Sequence, residues 1–77
     1  PAARGRGVGE ALVRAVLDEA RRRGHDRVVL DVTSSNRHAR ALYERTGFML
    51  TGDSYPHPRE STLCEHTMVC DLAGSPA

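Results

Sequence analysis

Arg4-Gly5-Arg6-Gly7-Val8-Gly9 runs straight into Glu10-Ala11-Leu12-Val13-Arg14-Ala15-Val16-Leu17, a glycine-dense loop followed by the strongest helical pattern in the chain. Glycine admits positive φ and leaves no Cβ in the way of a close approach. The first amides of a helix have no partner inside it, and the helix dipole makes that end partly positive. A loop-to-helix junction of this kind can seat a phosphate or pyrophosphate, and Arg4 and Arg6 bring cations to the same place. The pattern also describes a plain turn before a helix. Both readings stand until the rest of the chain is considered.

Downstream of the loop, residues 8–23 read as one amphipathic helix. Val8, Leu12, Ala15, Val16 and Ala20 lie near one face, and Val13 and Leu17 widen the stripe. Glu10 with Arg14, Asp18 with Arg22 and Glu19 with Arg23 are spaced for i,i+4 ion pairs. The basic run Arg21-Arg22-Arg23 suits the C-terminal end of a helix, and Gly24 supplies a stop. Arg27-Val28-Val29-Leu30-Asp31-Val32-Thr33 is a β-branched strand pattern, with Val28, Leu30 and Val32 on one face and Val29, Asp31 and Thr33 on the other. Asp31 is conspicuous among those valines. It is either a carboxylate on a wetter face or paired with a cation, or one held at the bottom of a cleft.

Ser34-Ser35-Asn36 offers helix-capping chemistry, and a second helix is expected over residues 37–46, with Ala39, Leu42, Tyr43 and Thr46 on one face and Gly47 ending it. Strands are expected over 48–54 and 62–72. Tyr55-Pro56-His57-Pro58-Arg59 separates them, because proline cannot donate to a ladder. Residues 73–77 read as a frayed tail. The order is loop, helix, strand, helix, strand, strand, an α/β pattern with a crossover helix and a closing hairpin.

Composition narrows the function classes. The 77 residues fit one small domain, with 39% hydrophobic and 4% aromatic content, lean for a self-sufficient core. Only three residues precede the glycine loop. Phosphate loops normally follow a strand, so an N-terminal portion is expected to be missing. A net charge of +1 argues against a nucleic-acid partner. Two cysteines make no disulfide framework, and no apolar run of membrane length is present, so a cytoplasmic, reducing location and no membrane partner are expected.

Cys64, His66 and Cys70 invite a zinc reading, but their spacing matches no common pattern, and two strand residues six apart lie roughly 20 Å from one another. No metal is expected. The glycine loop lacks the Gly-Lys-Ser/Thr of a Walker motif, and its Gly-x-Gly-x-Gly spacing is not that of dinucleotide folds.

Two segments taken together give a match. Arg4-x-x-Gly7-x-Gly9 opens a helix, and Asn36-x-x-Ala39-x-x-Leu42-Tyr43-Glu44-x-x-Gly47-Phe48 follows a strand. This pairing, in this order and separation, resembles the GCN5-related N-acetyltransferase (GNAT) superfamily, and it covers the C-terminal half of that family's domain. The resemblance implies a partial GNAT fold with a mixed sheet, in which the last strand lies between strands 27–33 and 48–54. It also implies that acetyl-CoA is the acetyl donor. Arg4, Gly5, Arg6, Gly7, Val8, Gly9, Asn36, Ala39 and Tyr43 would then contact the cofactor. The backbone amides from Arg6 to Gly9 would hold the pyrophosphate, and Asn36 would meet the pantetheine arm.

Tyr43 would protonate the departing thiolate, a task within reach of a well-placed phenol. Asp31 lies twelve residues before Tyr43, much as a glutamate does in members similar to the ribosomal-protein N-terminal acetyltransferases, where it helps to deprotonate the incoming amine. It is one methylene shorter here, and a structural or substrate-orienting role stands beside the catalytic one. The acceptor implied is an amine, of a small molecule or a protein N-terminus or lysine, with His57, Arg59 and Glu60 in reach of it. The free edge of strand 27–33 invites pairing with a second copy, a homodimer. Two other readings are a coenzyme A-binding module without turnover and a basic-helix interaction module using Arg21 to Arg23, Arg37, Arg40 and Arg45.

Overall fold

A computed structural model describes the backbone of residues 2–72 and the side chains of residues 7–72. Helix α1 spans Ala2–Arg22, strand β1 Arg27–Thr33, helix α2 Arg37–Arg45, strand β2 Met49–Pro56 and strand β3 Cys64–Asp71. The sheet order is β1-β3-β2, so the last strand lies in the middle, as the family resemblance implies. β3 runs antiparallel to both neighbours. α2 therefore carries the chain across β3 from one outer strand to the other.

Both helices supply side chains to one face of the sheet. The core there is Leu17 from α1, Val32 from β1, Phe48, and Met68 and Cys70 from β3, with Val13, Val28, Leu30, Ala39, Tyr43 and Leu72 packed around it. The alternation expected for β1 holds: Val28, Leu30 and Val32 point into this layer, while Asp31 is exposed on the other face. The face of the sheet away from the helices is open among the described residues.

The structure departs from the sequence reading in three places. The stretch 4–9 is not a loop: α1 is already helical from Ala2, and neither Gly7 nor Gly9 has positive φ. Gly5, Gly7 and Gly9 each weaken the helix by about 1 kcal/mol relative to alanine, yet α1 runs through all three. The expected core stripe of α1 is also displaced. Leu17 is buried and Val13 packs on the core, whereas Val8, Leu12 and Val16 are 61%, 63% and 58% exposed. The apolar pattern is wide enough for two faces, and the sheet covers only the Val13–Leu17 flank. Finally, β2 continues through Tyr55 and Pro56, with Pro56 opposite Cys64. Proline is tolerated there because β2 is an outer strand whose last residue owes no donor to a further neighbour.

Smaller differences follow the same logic. The strand expected over 62–72 is Cys64–Asp71, because Leu63 belongs to the connecting turn, donating to the Glu60 carbonyl and accepting from the His57 amide. Asp18 pairs with Arg21 instead of Arg22, and Arg22 joins Arg23 on Glu19. The tail expected over 73–77 lies outside the described residues.

Both helices end in the same way. At α1 the Gly24 and His25 amides donate to the carbonyls of Arg21 and Ala20, with Gly24 at φ +82°. At α2 the Gly47 and Phe48 amides donate to Glu44 and Tyr43, with Gly47 at φ +108°. This is the Schellman arrangement, in which a left-handed glycine reverses the chain.

Candidate acetyl-transfer site

Tyr43 owes its position to that second cap. Phe48 donates its amide to the Tyr43 carbonyl at 2.9 Å, and the two rings meet edge-to-face with centroids 5.5 Å apart. Such contacts hold a ring in place while leaving its hydroxyl at the rim. No buried polar side-chain atom lacks a partner, and no hydrogen bond engages the Tyr43 hydroxyl among the described residues. The hydroxyl is therefore open to solvent and available to an incoming group.

Asn36 begins the same helix. Its Oδ1 accepts from the Ala39 amide at 3.1 Å, an N-cap that leaves the Nδ2 donors unused. Ala39, one turn before Tyr43, packs on the core. α1 approaches α2 at Gly9, where an added Cβ would stand 3.5 Å from Leu42. Glu10 links the two helices: Arg14 donates to it at 2.8 Å and Arg45 lies 3.6 Å away. The Arg14 hydrogen bond, opposed by desolvation and aided less strongly by Arg45, holds the Glu10 carboxyl below its ordinary value. Nothing among the described residues beyond its own helix turn lies within 4 Å of a Cβ built on Gly7. Val8 is exposed beside it. The side chains of Arg4, Gly5 and Arg6 lie outside the described residues.

Asp31 stands on the opposite face of β1 from the layer in which Tyr43 packs. Its Oδ2 accepts a short hydrogen bond from the Tyr55 hydroxyl, and its Oδ1 accepts from Thr67 at 2.9 Å. The Tyr55 hydrogen bond first, and Thr67 second, keep the Asp31 carboxyl below its ordinary value, with burial opposing weakly. The same bond to Asp31, aided by desolvation and by repulsion from Asp31 and Glu65, raises the Tyr55 phenol. Nearby, Glu65 accepts from Thr33 at 2.8 Å and lies 3.8 Å from His57 Nε2. His57 Nδ1 accepts from the amides of Arg59 and Glu60, which organises the β2–β3 connection. The sequence pointed to Asp31 but not to Tyr55 or Thr67. The available signal was the register that sets Thr67 opposite Asp31 across the ladder.

The model of the acetyltransferase (GNAT) family matches residues 1–48. The chain belongs to the GNAT acetyltransferase family. Its relatives bear this out over differing lengths. Human N-acetyltransferase 8B is 42% identical over 65 residues, 84% of this chain and 29% of that protein. Mycothiol acetyltransferase of Beutenbergia cavernae is 56% identical over 48 residues, 62% of this chain and 16% of its own. Streptothricin acetyltransferase of Streptomyces lavendulae is 38% identical over 73 residues, 94% of this chain and 39% of that protein. Among solved structures, the ribosomal-protein-S18-alanine N-acetyltransferase of Escherichia coli superposes with a TM-score of 0.73 and 30% identity, over 100% of this chain and 52% of that one. This GNAT chain thus spans about half of its structural relative and a smaller share of the others.

Among the described residues of this GNAT chain no group of three His, Cys, Asp or Glu side chains could hold a metal ion, and Cys64 and Cys70 are free thiols. No helix among them is long and apolar enough to cross a membrane.

Proposed function

We propose that these residues belong to an acetyl-CoA-dependent N-acetyltransferase that passes the acetyl group directly to an amine. The observation that carries this reading is Tyr43, whose ring is clamped by Phe48 and whose hydroxyl has no protein partner among the described residues. In one step the amine nitrogen bonds to the acetyl carbon and the carbon–sulfur bond breaks. Tyr43 gives its phenolic proton to the sulfur, and Asp31 draws off the proton of the amine through water. Because the two side chains stand on opposite faces of β1, the reacting bond lies along the free edge of that strand. Holding both reactants in that position supplies much of the rate.

The pyrophosphate of acetyl-CoA is held by backbone amides from Arg6 to Gly9, with Arg4 at the first position of the stretch. In a helix those amides bond one turn back, so the first two turns of α1 open on binding. Gly5, Gly7 and Gly9 make that opening inexpensive, since each weakens the helix by about 1 kcal/mol relative to alanine. Val8 lies among them, and Asn36 turns its free Nδ2 to the pantetheine arm beside Ala39. The acceptor is the amine of a small molecule, a protein N-terminus or a lysine. A cytoplasmic setting accompanies this reading.

Isothermal titration of acetyl-CoA tests it, with Gly7→Asp in parallel. The space around Gly7 is open among the described residues, and aspartate is a better helix former than glycine, so the variant folds. Saturable binding that the carboxylate abolishes is expected. A folded parent chain that gives no heat overturns the cofactor assignment.

A further inference from the structure

We propose that Tyr55 is a positioning residue for acetyl transfer: reaching across the central strand from β2, its hydroxyl fixes the Asp31 carboxylate where the acceptor amine is received. This rests on the function proposed above and adds to it a residue outside the stretch 1–48 that the family model matches.

The geometry is that of a bridge between the two outer strands. β1 and β2 both pair with β3 and not with each other, so their backbones stand about 9–10 Å apart at ordinary strand spacing. An aspartate cannot span that distance, and a tyrosine can span most of it. Tyr55 lies opposite Glu65 on β3, and Asp31 lies opposite Thr67 two residues along. The phenol therefore runs diagonally over β3, and its hydroxyl ends on Asp31 Oδ2. Thr67, directly beneath, takes Oδ1. Each oxygen has its own donor, from a different strand, and the carboxylate is held in one orientation. Two neutral donors stabilise the ionised form and supply no charge that would cancel it.

The cluster also stands where a substrate can meet it. Asp31 is exposed, and Tyr55 is 44% exposed on the open face of the sheet. Glu65 of β3 and His57 of the following connection lie close by, and Arg27 of β1 stands opposite Asp71 of β3 at the far end of the ladder. Glu65 is engaged by Thr33, and His57 Nδ1 by two loop amides. Asp31 is the carboxylate that carries a phenol.

Two measurements on Tyr55→Phe test the proposal. In the 77-residue chain, the Asp31 carboxyl resonance is followed through an acid titration by NMR, and the midpoint is expected to move upward on loss of the phenol. Glu65→Gln serves as a control for the neighbouring charge and leaves the hydroxyl bond in place. In the full protein carrying these residues, kcat/KM for the amine is expected to fall on the order of tenfold, its acidic limb moving upward while acetyl-CoA affinity stays unchanged. An unmoved Asp31 midpoint overturns the bridge itself. A moved midpoint with an unaltered kcat/KM profile in an active enzyme overturns the positioning role and leaves a structural tyrosine. Failure of acetyl-CoA to bind the parent protein would sink the proposed function instead, and the NMR arm reads the bridge independently of it.

Discussion

Leu12 and Leu17 are the same residue type on the same helix, five positions apart, and the structure assigns them opposite fates. Leu17 is 3% exposed in the core and Leu12 is 63% exposed. Truncating a buried leucine to alanine costs about 2–5 kcal/mol through lost transfer energy and the cavity left behind. For Leu12 only about a third of the side chain is covered, no enclosed cavity forms, and alanine is the better helix former, so the net cost is about 0–1 kcal/mol. A domain of this size has roughly 4–12 kcal/mol in total. Leu17→Ala therefore removes a large fraction of the stability, and Leu12→Ala next to none. Urea unfolding followed by far-UV circular dichroism checks this, with the midpoint expected to drop sharply for the first variant and to hold for the second. Equal losses would refute the packing described here, since they would mean that Leu12 is covered. A midpoint for the parent chain that rose with protein concentration, and lost that rise in Leu12→Ala, would identify a second copy as the cover.

Three further outcomes follow from the helix ends and the charged face. Gly47→Ala and Gly24→Ala both force a Cβ into the left-handed region, at about 1–2 kcal/mol each, but only Gly47→Ala disturbs the cap that orients Tyr43; paired thermal melts and turnover assays should show similar stability losses and a kcat loss for Gly47→Ala alone. Asn36→Ala removes the N-cap bond of α2 and is expected to cost about 0.5–2 kcal/mol in chemical unfolding, with Asn36→Asp restoring most of it. Asp31, Glu10 and Glu19 titrate below their ordinary values of 3.8 and 4.5 when folded, so the stability they contribute is full above those values and is lost as pH falls through the depressed ones. Tyr55, raised from 10.0, contributes stability that is full below that value and is lost as pH rises through the folded one. Melting temperatures across pH should show both limbs shrinking in Asp31→Asn; limbs identical to those of the parent would contradict the pairing.

Much of this fold can be read from local pattern. The alternation in Arg27–Thr33 and the cap-to-glycine span from Asn36 to Gly47 each match the structure closely, because the residues that decide them are near neighbours in sequence. The middle position of β3 came from family resemblance, since nothing local in Cys64–Asp71 distinguishes a central strand from an outer one. The stretch 4–9 is misleading because glycine density is a loop signal, whereas the backbone there is helical. α1 misled for a different reason: a stripe of valine and leucine says that a face is apolar, not that this chain covers it. The least legible feature was the partner set of Asp31. Tyr55 and Thr67 are 24 and 36 residues away, and only the completed ladder brings them together.

The place of β3 has a consequence for the order in which the protein is made. A ribosome delivers β1 first and β2 next, and these two strands have no hydrogen bonds to offer each other. Until Cys64–Asp71 emerges, β1 and β2 have no strand to join them, and Val32 and Phe48 lack Met68 and Cys70 to pack against. Such long-range pairing is slow to form and leaves apolar strands open to unwanted partners. Translation halted anywhere before residue 64 leaves β1 and β2 without the strand that joins them, and the unfinished product becomes a client for chaperones and proteases.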